Sequence, residues 1–144
     1  MYTKYYIKDN CIYFNPEFNE QLFSYIDIMK NCSRMIFLNY EICIETNNKY
    51  YEKYTPKYSG NKFNQPLDNY LNQLTQLSQL IFGREFNQPL TNSLNQLTQL
   101  EKLIFGLGFN CPLENSLNQL VKLSQLTFEC GLLLVDNPNN IFKI

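Results

Sequence analysis

A block of five residues recurs at a fixed interval and limits what this chain can fold into. Phe63-Asn64-Gln65-Pro66-Leu67 returns as Phe86-Asn87-Gln88-Pro89-Leu90, and again as Phe109-Asn110-Cys111-Pro112-Leu113. The interval is 23 residues. Leucines follow each block at spacing three: Leu71, Leu74, Leu77 and Leu80; Leu94, Leu97, Leu100 and Leu103; Leu117, Leu120, Leu123 and Leu126. Each unit closes on a triplet ending in phenylalanine: Leu80-Ile81-Phe82, Leu103-Ile104-Phe105 and Leu126-Thr127-Phe128. A repeat of this length is one small structural unit that cannot bury its apolar face alone, so neighbouring units must stack.

The N-terminal part falls into the same frame. Phe18 takes the place of the block phenylalanine, Ile26, Met29, Cys32 and Met35 fill the leucine positions, and Phe37 the closing phenylalanine. Ile12-Tyr13-Phe14 stands upstream at the offset that links Leu80-Ile81-Phe82 to Phe86. The triplets therefore begin at 12, 35, 80, 103 and 126. The gap from 35 to 80 is one residue short of two periods, which predicts a degenerate unit over 41–62 with its strand near Lys57-Tyr58-Ser59. The fold expected is a single repeat solenoid of about six 23-residue coils, with 1–10 as N-terminal cap, 12–128 as repeats and 129–144 as C-terminal cap. Leu132-Leu133-Leu134-Val135 and Ile141-Phe142 supply the apolar part of the second cap.

Within a unit, the triplet reads as a short parallel strand with its first and third side chains inward and the middle one outward. Gly83 and Gly106 follow, where a tight turn can require positive φ. Asn87 sits where its amide can bond backbone groups of neighbouring turns. Leucines at period three favour 3-10 turns, which align side chains at i and i+3, over a long α-helix.

Phe-Asn-Gln-Pro-Leu, a following leucine run and a closing Phe-Gly resemble the FNIP repeat, known from social amoebae and from giant viruses that infect amoebae. The resemblance is specific over 63–128 and divergent but in register over 12–37. Residues 94–103 are also similar to the short repeats of internalin-type leucine-rich proteins. The resemblance implies a curved, leucine-rich-repeat-like solenoid with a parallel β-sheet on its concave side, short helical turns on its convex side, and protein recognition as its role. Some FNIP proteins carry an N-terminal F-box that recruits a ubiquitin ligase. Here residues 1–40 are occupied by repeat units, and the asparagine falls two positions later than in the usual leucine-rich repeat.

Composition narrows the chemistry. Histidine is absent, which removes Ser-His-Asp and Cys-His nucleophilic sites and histidine metal ligands. The acids are scattered, so the chain is expected to be no enzyme and to use no cofactor or metal. A net charge of −1 is expected to go with no nucleic-acid or membrane partner. The five cysteines, Cys11, Cys32, Cys43, Cys111 and Cys130, match no zinc spacing and read as free thiols. With no apolar leader or spanning run, the expected location is cytoplasmic, that of the host if the source is viral. The outward strand positions are the candidate binding face: Arg34 and Ile36, Gln79 and Ile81, Lys102 and Ile104, Gln125 and Thr127, with Ser33, Ser78, Glu101 and Ser124 at the strand entries and Tyr13 continuing the middle column. Two uses follow. One is a protein-interaction module, an adaptor or decoy; the other is a structural or assembly protein that self-associates.

Overall fold

A computed structural model describes residues 3–38, 61–129 and 139–143. Seven strands form one sheet in chain order: β1 Tyr5–Lys8, β2 Cys11–Phe14, β3 Arg34–Phe37, β4 Gln79–Ile81, β5 Lys102–Phe105, β6 Gln125–Glu129 and β7 Asn139–Lys143. The sheet is mixed. β2 to β6 run parallel, in the register that aligns Ile12, Met35, Leu80, Leu103 and Leu126. β1 and β7 pair antiparallel at the two ends, so the expectation of an all-parallel sheet fails there. The reversal of β1 is local: Asp9 and Asn10 both take positive φ, the conformation that a two-residue hairpin turn matched to strand twist requires. The expected caps thus include an antiparallel strand at each end, while Leu132-Leu133-Leu134-Val135 lies outside the described residues.

Each strand alternates buried and half-buried residues, and the buried set faces the return segments. Those segments fold as the leucine spacing predicts. Successive leucines bond i to i+3 along the backbone: Leu74 to Leu71, Leu77 to Leu74, Leu97 to Leu94, Leu100 to Leu97, Leu120 to Leu117 and Leu123 to Leu120, at 2.8–3.0 Å. Short 3-10 turns at Leu22–Tyr25, Tyr70–Gln73 and Glu114–Leu117 and one α-helical turn at Ile26–Met29 complete them. Period three thereby keeps every leucine of a run on the inner side.

Two phenylalanine columns run along the core. Phe14, Phe37, Phe82, Phe105 and Phe128 come from the strands, with ring centroids 4.9–5.7 Å apart. Phe18, Phe63, Phe86 and Phe109 come from the blocks, 5.8–6.1 Å apart. Within a unit the two rings lie close: Phe14–Phe18 at 4.3 Å, Phe37–Phe63 at 4.2 Å, Phe82–Phe86 at 3.9 Å and Phe105–Phe109 at 4.0 Å. Offset, near-parallel rings at these separations are a favoured aromatic geometry.

The Phe37–Phe63 contact corrects the reading of the long gap. β3 pairs directly with β4, with Arg34 opposite Gln79, so the sheet has no place for a strand between them. The turns agree: Lys62 N–H donates to the Pro16 carbonyl at 2.8 Å, and Glu85 N–H to that of Asn61 at 3.2 Å. Residues from Asn61 onward therefore sit on the unit of Pro16, and no further unit intervenes. The 22 residues beyond one period fall between Leu38 and Asn61, inside one unit. The Asn61 side chain ties the two ends together by donating to the Leu38 carbonyl at 3.0 Å and to the Asn15 carbonyl at 2.9 Å. The sheet holds five parallel strands, and the expected strand at Lys57-Tyr58-Ser59 lies outside the described residues.

The glycine expectation also changes. Neither Gly83 nor Gly106 has positive φ. A Cβ on Gly106 would instead stand 2.3 Å from the Gly83 carbonyl oxygen. Gly106 is needed because backbones of adjacent units approach closely, not because the turn is left-handed.

Candidate functional site

The side of the sheet turned away from the leucines carries the expected residues in two rows. Strand register sets Tyr6, Tyr13, Ile36, Ile81, Ile104 and Thr127 opposite one another in sequence. A second row runs beside it: Lys8, Cys11, Arg34, Gln79, Lys102 and Gln125. The residues of each row sit about 4.8 Å apart, the spacing of neighbouring strands. Their outward placement follows from β alternation, because Met35, Phe37, Leu80, Leu103 and Phe105 take the inward positions.

Tyr13, Ile36, Ile81, Ile104, Arg34, Gln79, Lys102 and Gln125 are all half-buried, and Lys8 is exposed. Thr127 is different. It is only 5% exposed and its hydroxyl accepts from the Gln125 amide at 3.4 Å, so it offers no surface and leaves the candidate site. Beside it, β7 extends the sheet, setting Ile141 at the register position of Thr127. At the other end Tyr6 and Tyr13 stack at 4.7 Å. They pack with Ile36 against Leu38, which is fully buried on this outer side. The sequence reading did not include Tyr6, Lys8 or Leu38. Extending the alternating pattern backward through the Asp9-Asn10 turn would have found the first two.

Electrostatics differ along the rows. The Arg34 guanidinium donates to the Asp9 carbonyl at 2.7 Å, which leaves most of its donors facing outward. Among the described residues, neither Lys8 nor Lys102 has an acidic partner; the ion pairs Lys4–Glu20, Lys30–Asp27 and Lys62–Glu17 lie elsewhere. Burial raises the Cys11 thiol above its ordinary pKa and pushes the Tyr13 phenol up to about 12. Both are therefore neutral at pH 7, so the cations of the row meet no negative charge from them.

Ser33, Ser78, Glu101 and Ser124 take a structural role at the strand entries. Each N–H bonds the preceding unit: Ser33 to Asn10, Ser78 to Ser33, Glu101 to Ser78 and Ser124 to Glu101, at 2.7–3.0 Å. On the return segments the block asparagines form a second ladder. Asn19 Oδ1 accepts from Asn64 N–H at 3.0 Å, Asn64 Oδ1 from Asn87 N–H at 2.9 Å and Asn87 Oδ1 from Asn110 N–H at 2.8 Å. These bonds lie at the surface, so each asparagine links two units without filling the core. Cys111 is half-exposed and its thiol faces Asn87 Oδ1 at 3.3 Å. Cys11 and Cys32 are buried free thiols, and Cys43 and Cys130 lie outside the described residues.

A cavity of about 390 Å³ lies along the return segments, lined by Pro89, Thr91, Asn92, Pro112, Glu114, Asn115 and Ser116. Glu114 is its only ionisable side chain, so it has no pair of groups for acid–base work. Among the described residues no group of three His, Cys, Asp or Glu is placed to hold a metal ion. No helix among them is long and apolar enough to cross a membrane. Comparison of the chain with family models, with curated proteins and with solved structures finds no match.

Proposed function

We propose that this chain is a leucine-rich-type, FNIP-like repeat solenoid that works as a non-catalytic protein-binding module in the cytoplasm, an adaptor or decoy that engages its partner through the outer face of the sheet. The carrying observation is the row Tyr13, Ile36, Ile81 and Ile104. It leaves apolar side chains half-exposed in line, beside Arg34 and Lys102. An apolar strip flanked by polar and charged groups suits an interface with a dry centre and a wet rim. The five-strand parallel core supports the solenoid reading, because each unit contacts only its neighbours and the stack presents one long face.

A photo-crosslinking residue at position 81 tests this reading, with position 121 as control. Val121 is 78% exposed on a return segment and belongs to neither row. Crosslinks to another protein confined to position 81 are expected. Equal capture from both positions, or capture from 121 alone, overturns the reading. Self-association is the second reading, because β1 and β7 are edge strands of the sheet and edge strands can pair with other chains. Light scattering reports it: a concentration-dependent dimer with crosslinks between copies assigns the face to the chain itself.

A further inference from the structure

The cations on the outer face occur on alternate strands. Lys8 is on β1, Arg34 on β3 and Lys102 on β5. Cys11 and Gln79 hold the same row on β2 and β4. Two strand spacings separate one cation from the next, roughly 9.6 Å. A polyproline-II chain has three residues per turn and rises about 3.1 Å per residue, so every third side chain falls on one side at intervals of about 9.3 Å. A regular β-strand ligand would place like-facing side chains every second residue, about 6.7 Å apart, and lose step with the cations. The polyproline-II helix keeps step.

The remaining features fit the same ligand. That helix has no internal hydrogen bonds, so its carbonyls need donors. Gln79 lies between Arg34 and Lys102, half-exposed, and its amide is not engaged in a printed bond elsewhere on the face. The neighbouring row offers Tyr13, Ile36, Ile81 and Ile104, and aromatic and apolar surface is what proline rings pack on. The whole chain carries a charge of only −1, so the attraction is local to the row.

We propose, resting on the binding-module reading above, that the partner is an acidic peptide in polyproline-II conformation, lying across the strands with carboxylates at every third residue over Lys8, Arg34 and Lys102. Proline or other apolar side chains of the peptide lie on the Tyr13–Ile104 row.

Fluorescence anisotropy with synthetic peptides tests the proposal. The probe is labelled (Glu-Pro-Pro)4; the controls are (Lys-Pro-Pro)4 and an alternating Glu-Pro peptide of equal length trimmed to equal charge. The Glu-Pro-Pro peptide is expected to bind about tenfold more tightly than the alternating one, and the lysine peptide not at all. Lys102→Gln and Lys8→Gln, both at solvent-accessible positions, should each weaken it by roughly tenfold, the loss of one charge-assisted contact. Circular dichroism confirms that the variants fold. Equal binding of the two acidic peptides, or binding unaffected by both lysine variants, overturns the spacing argument. Displacement of the peptide by equimolar polyuridylate would assign the row to phosphate and overturn the proposal as well. If no peptide binds while position 81 still crosslinks selectively to a protein, the peptide chemistry is wrong and the binding face stands. If neither occurs, both fall.

Discussion

The N-terminal unit departs furthest from the repeat motif, yet it is better buried than the C-terminal unit that matches the motif closely. Ile26, Met29, Cys32 and Met35 are 5% exposed or less, and Phe18 is 3% exposed. At the other end Phe109, Leu113, Leu117 and Phe128 are only partly buried, although they stand at the same register positions. The middle unit, with the same residues as the last, is sealed: Phe86, Leu94, Leu97, Leu100, Leu103 and Phe105 are at most 1% exposed. Burial in this molecule follows place in the stack and not the quality of the motif. A unit needs a neighbour on both sides, and the first unit obtains one from β1, whose Tyr5 packs on Phe14 and Tyr25.

The largest effect should separate middle from end. Leu94→Ala removes a fully buried side chain and is expected to cost about 3 kcal/mol in urea unfolding. Leu117→Ala makes the same change at the equivalent place in the last unit, where the side chain is partly exposed, and should cost about half as much. Equal losses would show that position in the stack does not set the burial energy.

Gly106→Ala comes next. Its Cβ would meet the Gly83 carbonyl at 2.3 Å, so two units must move apart, with an expected cost of about 1–3 kcal/mol. Gly106→Asn sharpens the point. A left-handed turn would accept asparagine; a close backbone approach rejects it as firmly as alanine. A tolerated asparagine would refute the close-approach account.

The asparagine ladder predicts a smaller contrast. Asn87→Ala removes the acceptor of the Asn110 N–H, a loss of about 1 kcal/mol. Asn110→Ala should change stability by well under that, because no further unit among the described residues donates to its side chain. Paired thermal melts of the two variants measure the difference.

The smallest effect concerns pH and the N-terminal region. Burial raises the pKa values of Cys11, Cys32, Tyr13 and Tyr25, with the Tyr25 hydrogen bond to Glu20 adding to its shift. These groups are neutral when protonated, and their folded pKa values lie above the unfolded ones. Their contribution is therefore complete below about pH 9 and is lost as pH rises from there toward 12. Stability should fall over that window, and Tyr13→Phe should shift the alkaline midpoint upward. An unchanged midpoint, followed by circular dichroism and tyrosinate absorbance, would remove Tyr13 from the cause.

Much of the architecture is readable from residue order. The triplets mark where strands fall, because alternation of side chains within a strand is a local property. The period-three leucines mark 3-10 turns for the same kind of reason. The outward rows follow, with Thr127 as the exception: its burial depends on surroundings that the triplet pattern does not encode. The sheet's direction at its ends was not readable either, since β1 and β7 carry no repeat motif and their antiparallel pairing depends on the turns that lead to them.

Sequence alone determined the 23-residue frame, the identity of the core columns and the facing of the strand residues, since each depends on spacing along one chain. The tertiary structure decided what the 45 residues from Arg34 to Gln79 mean. A short extra unit and a 22-residue insertion have nearly the same length, and only the ladder between β3 and β4, with Phe63 stacked on Phe37, tells them apart. It also decided why Gly106 is glycine. Both answers lie in contacts between units far apart in sequence, and spacing along the chain carries no record of which backbones come to lie side by side.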